Sequence, residues 1–416
     1  MLAAAQEDRR SAGPAGVAAR GERVGVTRLV LTDFRNYRSA RLDLEPVPVV
    51  LTGANGAGKT NLLEAMSFLS PGRGLRNARL SDIDRRELAS AAVSGWAVSA
   101  TIATRRGELR IGTGRETGRE TGREIGTGRE AATGERRAIR IDRLPVRGQA
   151  ALAERLGVLW LTPAMDRLFV EGPAGRRRLM DRLVLGLDPA HAARVARYEQ
   201  ALRERARLLR AVAQGGRGDP AWLAALEEIM AAEGVAVAAA RRETIERLDR
   251  VCAAAAGAFP RVRLTLVGAI EDWLGMMPAL AAEEKFRDAL AQSRAGDALA
   301  GGAGLGPHRS DLAVFHAERQ IPAEAASTGE QKALLIAIVL AQAQLQRAAR
   351  GEPPLLLLDE VAAHLDAPRR LALFEILAEL ESQAWITGTD AALFAPLQGA
   401  ARFLTVCDGA LSATLF

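Results

Sequence analysis

Lysine is almost absent from this 416-residue sequence, which has three lysines, Lys59, Lys285 and Lys332, among 56 basic residues. Cysteine is rarer still, and two cysteines are too few for a disulfide framework or a cysteine zinc site. Aromatic residues form 4% of the chain, which disfavours a nucleic-acid surface built from stacked rings. No apolar run approaches the roughly 18–20 residues that span a bilayer, so we expect no membrane association and a reducing, cytoplasmic compartment.

Arginine replaces lysine almost throughout, and this bias by itself raises the isoelectric point. The formal net charge of +6 is therefore weak support for nucleic-acid binding when it is taken alone. The few lysines are correspondingly informative, and two of them lie inside the motifs described below. Apolar residues form 48% of the chain, which predicts a sizeable core in two domains or in one large domain with an insertion.

Alternating strand and helix patterns at both ends of the chain predict an α/β fold with a mainly parallel sheet built from both termini. Residues 1–22 lack periodicity and a continuous apolar stretch, so we expect a disordered tail and not a secretion signal. Residues 23–171 and 301–416 are expected to form two parts of one lobe. Residues 172–300 are expected to form an inserted helical arm, in which residues 215–220 join two long helices.

A short repeat interrupts the first part of the lobe. The tetrapeptide TGRE begins at Thr113, Thr117, Thr121 and Thr127. Because so polar and glycine-rich a segment cannot bury a core, we predict a flexible loop over residues 112–135. Each arginine of the repeat is matched by a glutamate, which disfavours an arginine-rich arm for nucleic acid.

The segment GANGAGKT matches the phosphate-binding pattern G-x-x-x-x-G-K-T and lies between an apolar strand and a helix. Backbone N–H groups of such a loop surround phosphates, and the helix N-terminus adds partial positive charge. Lys59 is expected to reach the β- and γ-phosphates of ATP, and Thr60 to bind Mg²⁺. The expected binding residues are Gly53, Ala54, Asn55, Gly56, Ala57, Gly58, Lys59 and Thr60.

Two acidic residues follow a second buried strand, LLLL, near the other end of the chain. Asp359 is expected to hold Mg²⁺ through water, and Glu360 to polarise the water that attacks the nucleotide. The helix before this strand opens with STGEQK, residues 327–332. Bare N–H groups at a helix start form an anion site, but Ser followed three residues later by Glu is also an ordinary helix cap, and taken alone the cap is favoured.

Together these three motifs resemble those of ATP-binding cassette ATPase heads, and particularly the chromosome-maintenance (SMC-like) branch. Three further segments, DFRNY at 33–37, GPHRSD at 306–311 and TGTD at 387–390, resemble the RecF family of bacterial recombination mediators. The resemblance runs from about Val24 to the end. It implies a P-loop ATPase head built from residues 23–171 and 301–416, with residues 172–300 as its arm.

The resemblance also implies a function. ATP binding would drive homodimerisation on DNA, and slow hydrolysis would release it, so the chain would be a weak DNA-dependent ATPase that acts as a switch. The family acts in recombinational repair, replication restart and SOS induction. It is implied to bind duplex DNA and its junctions with single strands at gaps, and to load recombinase with RecR and RecO.

Several site residues are assigned by this resemblance alone. Those implied to bind the nucleotide in the same subunit are Arg35 and Asn36. Those implied to contact the partner's nucleotide, or to lie at the dimer seam, are Ser327, Gly329, Lys332 and Asp366. The chain departs from the ATPase pattern at Ala164, where a polar side chain is usual, and Asp166 is the candidate replacement. Thr389 or Asp390 stands where transporter ATPases have a switch histidine.

A basic cluster is the candidate DNA site. Residues 176–210 contain ten arginines and four acidic residues, an excess of six that equals the net charge of the chain. Clustered charge on a helical arm suits a phosphate backbone, although a solvated arginine-rich helix is the simpler alternative. The candidate DNA-binding residues are Arg73, Arg76, Arg176, Arg177 and Arg178.

Two alternative functions remain at this stage. The chain could be the ATPase subunit of a membrane transporter, but the missing switch histidine, the non-LSGGQ signature and the basic insertion argue against it. It could be a short SMC-like structural clamp, but an insertion without sustained heptads excludes a long coiled coil.

Overall fold

The computed structural model describes residues 23–85, 95–116, 136–216 and 219–414. The expected tail, residues 1–22, lies outside the described residues, as do the TGRE copies that begin at Thr117, Thr121 and Thr127.

The described chain alternates strands and helices, which we number in chain order. The strands are β1 (Gly25–Phe34), β2 (Tyr37–Asp43), β3 (Val49–Thr52), β4 (Ala97–Thr104), β5 (Gly107–Arg115), β6 (Arg137–Ile141), β7 (Leu144–Pro145), β8 (Val158–Leu161), β9 (Val262–Val267), β10 (Asp311–His316), β11 (Ile321–Pro322), β12 (Leu355–Leu358), β13 (Ala384–Gly388), β14 (Arg402–Cys407) and β15 (Ala410–Ala413). The helices are α1 (Lys59–Ser67), α2 (Ala150–Arg155), α3 (Pro173–Leu185), α4 (His191–Ala213), α5 (Pro220–Ala254), α6 (Ala269–Met276), α7 (Ala279–Gln292), α8 (Arg294–Ala300), α9 (Thr328–Arg350) and α10 (Ala367–Glu379). None of these helices, within the described ranges, combines the length and apolarity that crossing a bilayer requires.

A mainly parallel sheet forms the centre of the head. Its strand order is β15-β14-β3-β13-β12-β8, and the pairs are parallel except for the β14–β15 hairpin. Every residue of β3, β8, β12 and β13 is buried, as expected for strands covered on both faces. The sheet confirms the prediction from the sequence, because β3 from the N-terminal part lies between β13 and β14 from the C-terminal part.

A second, antiparallel sheet covers α1. Its order is β2-β1-β4-β5-β6-β7, and alternate residues of β4 and β5 point into the core. Phe34, Phe68 and Trp96 pack edge to face or tilted beneath it, with ring centroids 4.9–6.1 Å apart. The prediction of a loop over residues 112–135 is wrong at its start, because Thr113, Gly114 and Arg115 of the first TGRE copy pair with β4 and β6.

The inserted arm has more elements than the sequence pattern predicts. The stretch expected to form two long helices contains three, since α3 ends at Leu185 and α4 begins at His191, after a break that contains Gly186 and Pro189. The Gly/Ala-rich segment at residues 296–306 begins inside α8, which spans Arg294–Ala300. The arm also contributes β9, which pairs antiparallel with β10 of the C-terminal part.

Candidate nucleotide site

The phosphate-binding loop connects β3 to α1, and its glycines allow the close approach of neighbouring chain. A Cβ at Gly53 (φ +146°) would lie 2.3 Å from the carbonyl oxygen of Val406, and a Cβ at Gly58 (φ +115°) would lie 2.5 Å from Asn36 Nδ2. Both positions therefore require glycine. Ala54, Asn55 and Gly56 are exposed at the tip of the loop, while Ala57 and Gly58 are buried at its base.

Lys59 supplies the positive charge of the loop. Its Nζ donates hydrogen bonds to the carbonyl oxygens of Gly53, at 2.7 Å, and Ala54, at 2.9 Å. The side chain is buried, so the ammonium is held beneath the loop with one donor left for a phosphate oxygen.

Asp359 lies at the centre of an oxygen cluster at the carboxyl ends of β12 and β13. Thr60 Oγ1 lies 3.0 Å from both carboxylate oxygens of Asp359, and Thr387 Oγ1 donates to Asp359 Oδ1 at 2.8 Å. A buried carboxylate and a hydroxyl fit Mg²⁺, which usually takes one or two protein carboxylates and completes its shell with phosphates and water. Among the described residues no cluster of three or more His, Cys, Asp or Glu could hold a metal by itself.

Glu360 follows Asp359 in a left-handed backbone conformation, with φ +52°. Its N–H donates to Thr387 Oγ1 at 2.9 Å, so one threonine fixes both acidic residues. Glu360, Asp359 and Thr60 line the same cavity of about 860 Å³, which places a second carboxylate beside the expected metal ligands. Thr387 was not predicted as a site residue from the sequence. Its position at the end of the strand next to β12 was the signal that could have found it.

Asn36 contacts the loop, as expected for a nucleotide-site residue. Its Nδ2 donates to the carbonyl oxygen of Ala57 at 3.3 Å, and its Oδ1 accepts from Asn61 at 2.8 Å. The Tyr37 hydroxyl donates to the carbonyl oxygen of Gly58 at 3.0 Å. The turn between β1 and β2 thus fastens the base of the loop.

Arg35 contacts α1, and its expected contact with the nucleotide stays a prediction. Its guanidinium makes a bidentate pair with Glu64 of α1, at 2.9 and 2.8 Å, and donates to the Asp82 carbonyl oxygen at 2.7 Å. Glu64 is fully buried and also accepts from Arg76 at 2.8 Å, so the candidate DNA-binding residue Arg76 has a partner within the chain. The two arginines neutralise Glu64, so their primary contact is with α1.

Ser327 begins α9 in a complete capping box. Its Oγ accepts from the Glu330 N–H at 3.4 Å, and its own N–H donates to Glu330 Oε2 at 2.9 Å. The hydrogen bonds from Ser327 and the neighbouring Arg319 hold the pKa of Glu330 far below its usual value, at about 2. Ser327 and Gly329 are exposed, so the helix start is accessible from outside the chain.

Lys332 and Asp366 have local partners. Lys332 is buried and its ammonium lies 3.4 Å from Asp166 of its own chain, so its contact with a partner's nucleotide stays a prediction. Lys332, Asp166 and Asp359 line one small cavity, which links the segment around Ala164 to the oxygen cluster. Asp366 caps α10 by accepting from the Arg369 N–H at 2.9 Å, and its side chain is half exposed.

The candidate DNA-binding arginines separate into two groups. Arg176 pairs with Asp311 at 2.7 Å and also donates to three backbone carbonyls, so its donors have partners within the chain, and its contact with DNA stays a prediction. Arg177 is half-buried and donates to the Ser310 carbonyl oxygen at 3.0 Å, and burial lowers its pKa. Arg73 and Arg178 are exposed at the rim of the 860 Å³ cavity.

A glycine-rich loop above a parallel sheet, a threonine–aspartate cluster at the strand ends and an exposed capped helix define a P-loop ATPase head of the ATP-binding cassette class. The family model described as RecF/RecN/SMC N terminal domain matches residues 25–407. The chain is 48% identical over 393 residues to "DNA replication and repair protein RecF" of Allorhizobium ampelinum, covering 94% of this chain and 99% of the relative. It belongs to the RecF family of DNA replication and repair proteins.

Further relatives agree in length and fold. "DNA replication and repair protein RecF" of Rhizobium meliloti is 46% identical over 94% of this chain and 99% of its own. The solved "Structure of the recombination mediator protein RecF-ATPrS in RecFOR pathway" superposes with a TM-score of 0.79 at 20% identity, over 95% of this chain and 100% of that one. An Smc head domain from Pyrococcus furiosus has the same fold at a TM-score of 0.51 and 15% identity, over 94% and 96% of the two chains.

Proposed function

We propose that this chain is an ATP-controlled DNA-binding switch of recombinational repair and replication restart. The observation that carries the proposal is the cluster that joins Thr60, Asp359 and Thr387 beneath a loop whose lysine is already positioned. This arrangement suits the triphosphate of ATP with Mg²⁺. The name of the relatives adds the setting, DNA replication and repair.

Each residue of the site has a definite task in this proposal. Lys59 and the loop N–H groups bind the phosphates, while Thr60 and Asp359 hold Mg²⁺. When bound there, Mg²⁺ would supply positive charge that offsets the charge of the phosphates. Thr387 orients Asp359, and Glu360 orients and polarises the attacking water. Asn36 keeps the base of the loop in place.

Dimerisation would couple ATP to DNA. The exposed start of α9, with Ser327 and Gly329, offers N–H groups and a hydroxyl to the terminal phosphate of a second copy. Asp366, half exposed at the start of α10, would lie at the seam. Hydrolysis would then remove the phosphate that joins the two copies and release the dimer. With slow hydrolysis, the protein would act as a switch.

DNA would contact the exposed arginines by its backbone, because aromatic residues are scarce. Arg73 and Arg178 are the preferred candidates, because Arg76, Arg176 and Arg177 have partners within the chain. The expected DNA is duplex and its junctions with single strands at gaps. The name of a solved relative includes the RecFOR pathway, which supports RecR and RecO as partners. The cytoplasm is the proposed site of action.

A pair of variants separates chemistry from dimerisation. Glu360→Gln keeps the shape of the side chain but loses the basic carboxylate, so we expect hydrolysis to fall by about 10²–10⁴-fold while the ATP-bound dimer accumulates. Ser327→Arg places a bulky cation at the start of α9, so we expect ATP binding to persist and ATP-dependent dimerisation to be lost. Phosphate release measures hydrolysis, a nucleotide titration measures ATP binding, and sedimentation velocity with ATP and duplex DNA measures dimerisation. Glu375→Gln, an exposed change on α10, is the matched control.

The opposite pattern would contradict the mechanism. A monomeric Glu360→Gln variant beside a dimeric Ser327→Arg variant would leave an ATP-binding head without the proposed closure. Loss of ATP binding in the Ser327→Arg variant would show instead that α9 supports the loop of its own chain.

A further inference from the structure

The anion position at the start of α9 already holds a carboxylate. Glu330 Oε2 accepts from the Ser327 N–H at 2.9 Å and from the Ser327 hydroxyl at 2.8 Å. These are the same two donors that the proposed function assigns to the terminal phosphate from a second copy. Because each donor has one proton, carboxylate and phosphate compete for them.

Arg319 lies on the other side of this carboxylate. It comes from the turn between β10 and β11, and its Nη1 donates to Glu330 Oε1. Each oxygen of Glu330 therefore has its own partner, Ser327 for one and Arg319 for the other. The side chain of Arg319 is half exposed and that of Glu330 is partly exposed, so the pair lies at the protein surface beside the start of α9.

Charge makes the competition stronger than shape alone. A terminal phosphate that approached Ser327 would meet the full negative charge of Glu330 within a few ångströms, where like charges repel appreciably even near a protein surface. Arg319 offsets part of that repulsion and offers the carboxylate a partner that it can keep when it leaves Ser327.

We propose that Glu330 and Arg319 form a gate at the start of α9. In the single chain Glu330 occupies the position of the phosphate, and Arg319 draws Glu330 aside when a second copy brings ATP. The inference rests on the proposed function and names the regulation of that same site. The gate sets the ATP and protein concentrations at which the dimer closes. In the single chain the gate gives the N–H and hydroxyl of Ser327 a hydrogen-bond partner, so other anions do not bind there.

Three variants of the full chain test the gate in the presence of ATPγS, a slowly hydrolysed ATP analogue. Glu330→Gln removes the repulsive charge, so we expect the dimer dissociation constant to fall about tenfold. Arg319→Ala leaves the carboxylate without its second partner, so we expect the constant to rise by about threefold to tenfold. The double variant should match Glu330→Gln, because Arg319 acts through Glu330. Sedimentation equilibrium at several protein concentrations gives each constant.

Salt provides a readout that a purely structural cap would not give. The difference between parent and Glu330→Gln should shrink as ionic strength rises from about 0.05 to about 0.5 M, since surface charges are screened. Glu375→Gln, which removes one exposed negative charge from α10, should leave the dimer constant at the parental value. Thermal unfolding of each variant shows whether α9 keeps its cap.

Two different failures are distinguishable. If the parent dimerises with ATPγS but Glu330→Gln dimerises equally or more weakly, the gate is wrong and Glu330 is a helix cap only. If the effects of the two single variants add in the double variant, Arg319 does not act through Glu330 and the gate is again wrong. If neither the parent nor any variant dimerises with ATPγS, the proposed function fails and the gate fails with it.

Discussion

The hydroxyl of Thr387 forms hydrogen bonds with two neighbouring acidic residues, with the carboxylate of one and the backbone N–H of the other. It donates to Asp359 Oδ1 and accepts from the N–H of Glu360, so its removal would free the proposed magnesium ligand and the proposed water-polarising residue together. Residues that orient a metal ligand usually account for about 10–100-fold in affinity or activity.

We therefore expect Thr387→Val to lower kcat for ATP hydrolysis by about 10–100-fold. Thr387→Ser keeps the hydroxyl and should restore most of the rate, which excludes a simple packing effect. Steady-state hydrolysis with increasing Mg²⁺ measures the change, and the valine variant should need more Mg²⁺. A valine variant with the parental rate and Mg²⁺ requirement would show that Asp359 is positioned without Thr387.

Local motifs predicted the loop residues well, but contacts across the fold were harder to predict. Lys59, Thr60 and Asp359 come together because each follows a buried strand at the same edge of one sheet, and the sequence contains both strands and motifs. The partner of Arg35 was missed, since Glu64 looks like an exposed acid of a short helix until the second sheet covers it. The sequence holds no local sign of that burial.

At the scale of elements, α3 is fastened to the C-terminal part by one arginine and exposes another. Arg176 is largely covered by its pair with Asp311 and its three carbonyl contacts, whereas Arg178, two residues later, is exposed. Successive residues of a helix point in different directions, so a run of three arginines cannot act as one patch.

We expect Arg176→Ala and Arg178→Ala to have opposite consequences. Arg176→Ala removes the charged partner of Asp311 and the donor to three backbone carbonyls, so the free energy of unfolding should fall by about 1–3 kcal/mol. Arg178→Ala should leave stability near the parental value and reduce the log–log salt slope of DNA binding by about 0.9, because one phosphate is no longer neutralised. Urea unfolding and DNA titrations at several salt concentrations measure the two effects. An unchanged slope for Arg178→Ala would direct attention to Arg73.

Strands and helices were predictable where apolar residues recur with the spacing of that element. Breaks and unusual extensions of these elements were not predictable. The four-residue strands of the parallel sheet are continuous apolar runs with turn residues around them. The break between α3 and α4 was passed over because the helical pattern resumes at once after Pro189. The first TGRE copy forms part of β5 because Thr113 is buried, although its sequence equals that of the later copies.

At the scale of the whole molecule, two partly buried carboxylates hold the arm together and join it to the head: Asp311 of the C-terminal part pairs with Arg176 of the arm, and Asp181 pairs with His191 and Arg241 within the arm. Burial alone would raise the pKa of Asp311, but the hydrogen bond and charge of Arg176 outweigh it and hold the pKa below its usual value. Burial also opposes ionisation of Asp181, yet His191 and Arg241 lower its pKa overall. Carboxylates of this kind stabilise the fold above their unfolded pKa of about 4, and the contribution is lost as pH falls through the lower folded value.

Acid should therefore weaken the connection between arm and head. We expect the urea midpoint of the parent to fall between about pH 7 and about pH 3, and to fall less in Asp311→Asn, which has already lost one of these carboxylates. Asp288→Asn, an exposed change on α7, is the matched control and should follow the parent. Equal acid sensitivity in Asp311→Asn and the parent would show that the Arg176–Asp311 pair does not contribute to the pH dependence.

The position of β3 has a consequence for how the protein is made. A ribosome releases the phosphate-binding loop early, but the strands on either side of β3 emerge only with the last few dozen residues. Until then β3 has no hydrogen-bonded neighbour in the sheet, and Asp359 and Thr387 are not yet beside Thr60. A chain that stops before β13 keeps the whole loop motif and the whole arm, yet it has no site for the nucleotide. An unfinished copy therefore has the loop without its complete oxygen cluster, and we expect it not to enter the proposed dimer.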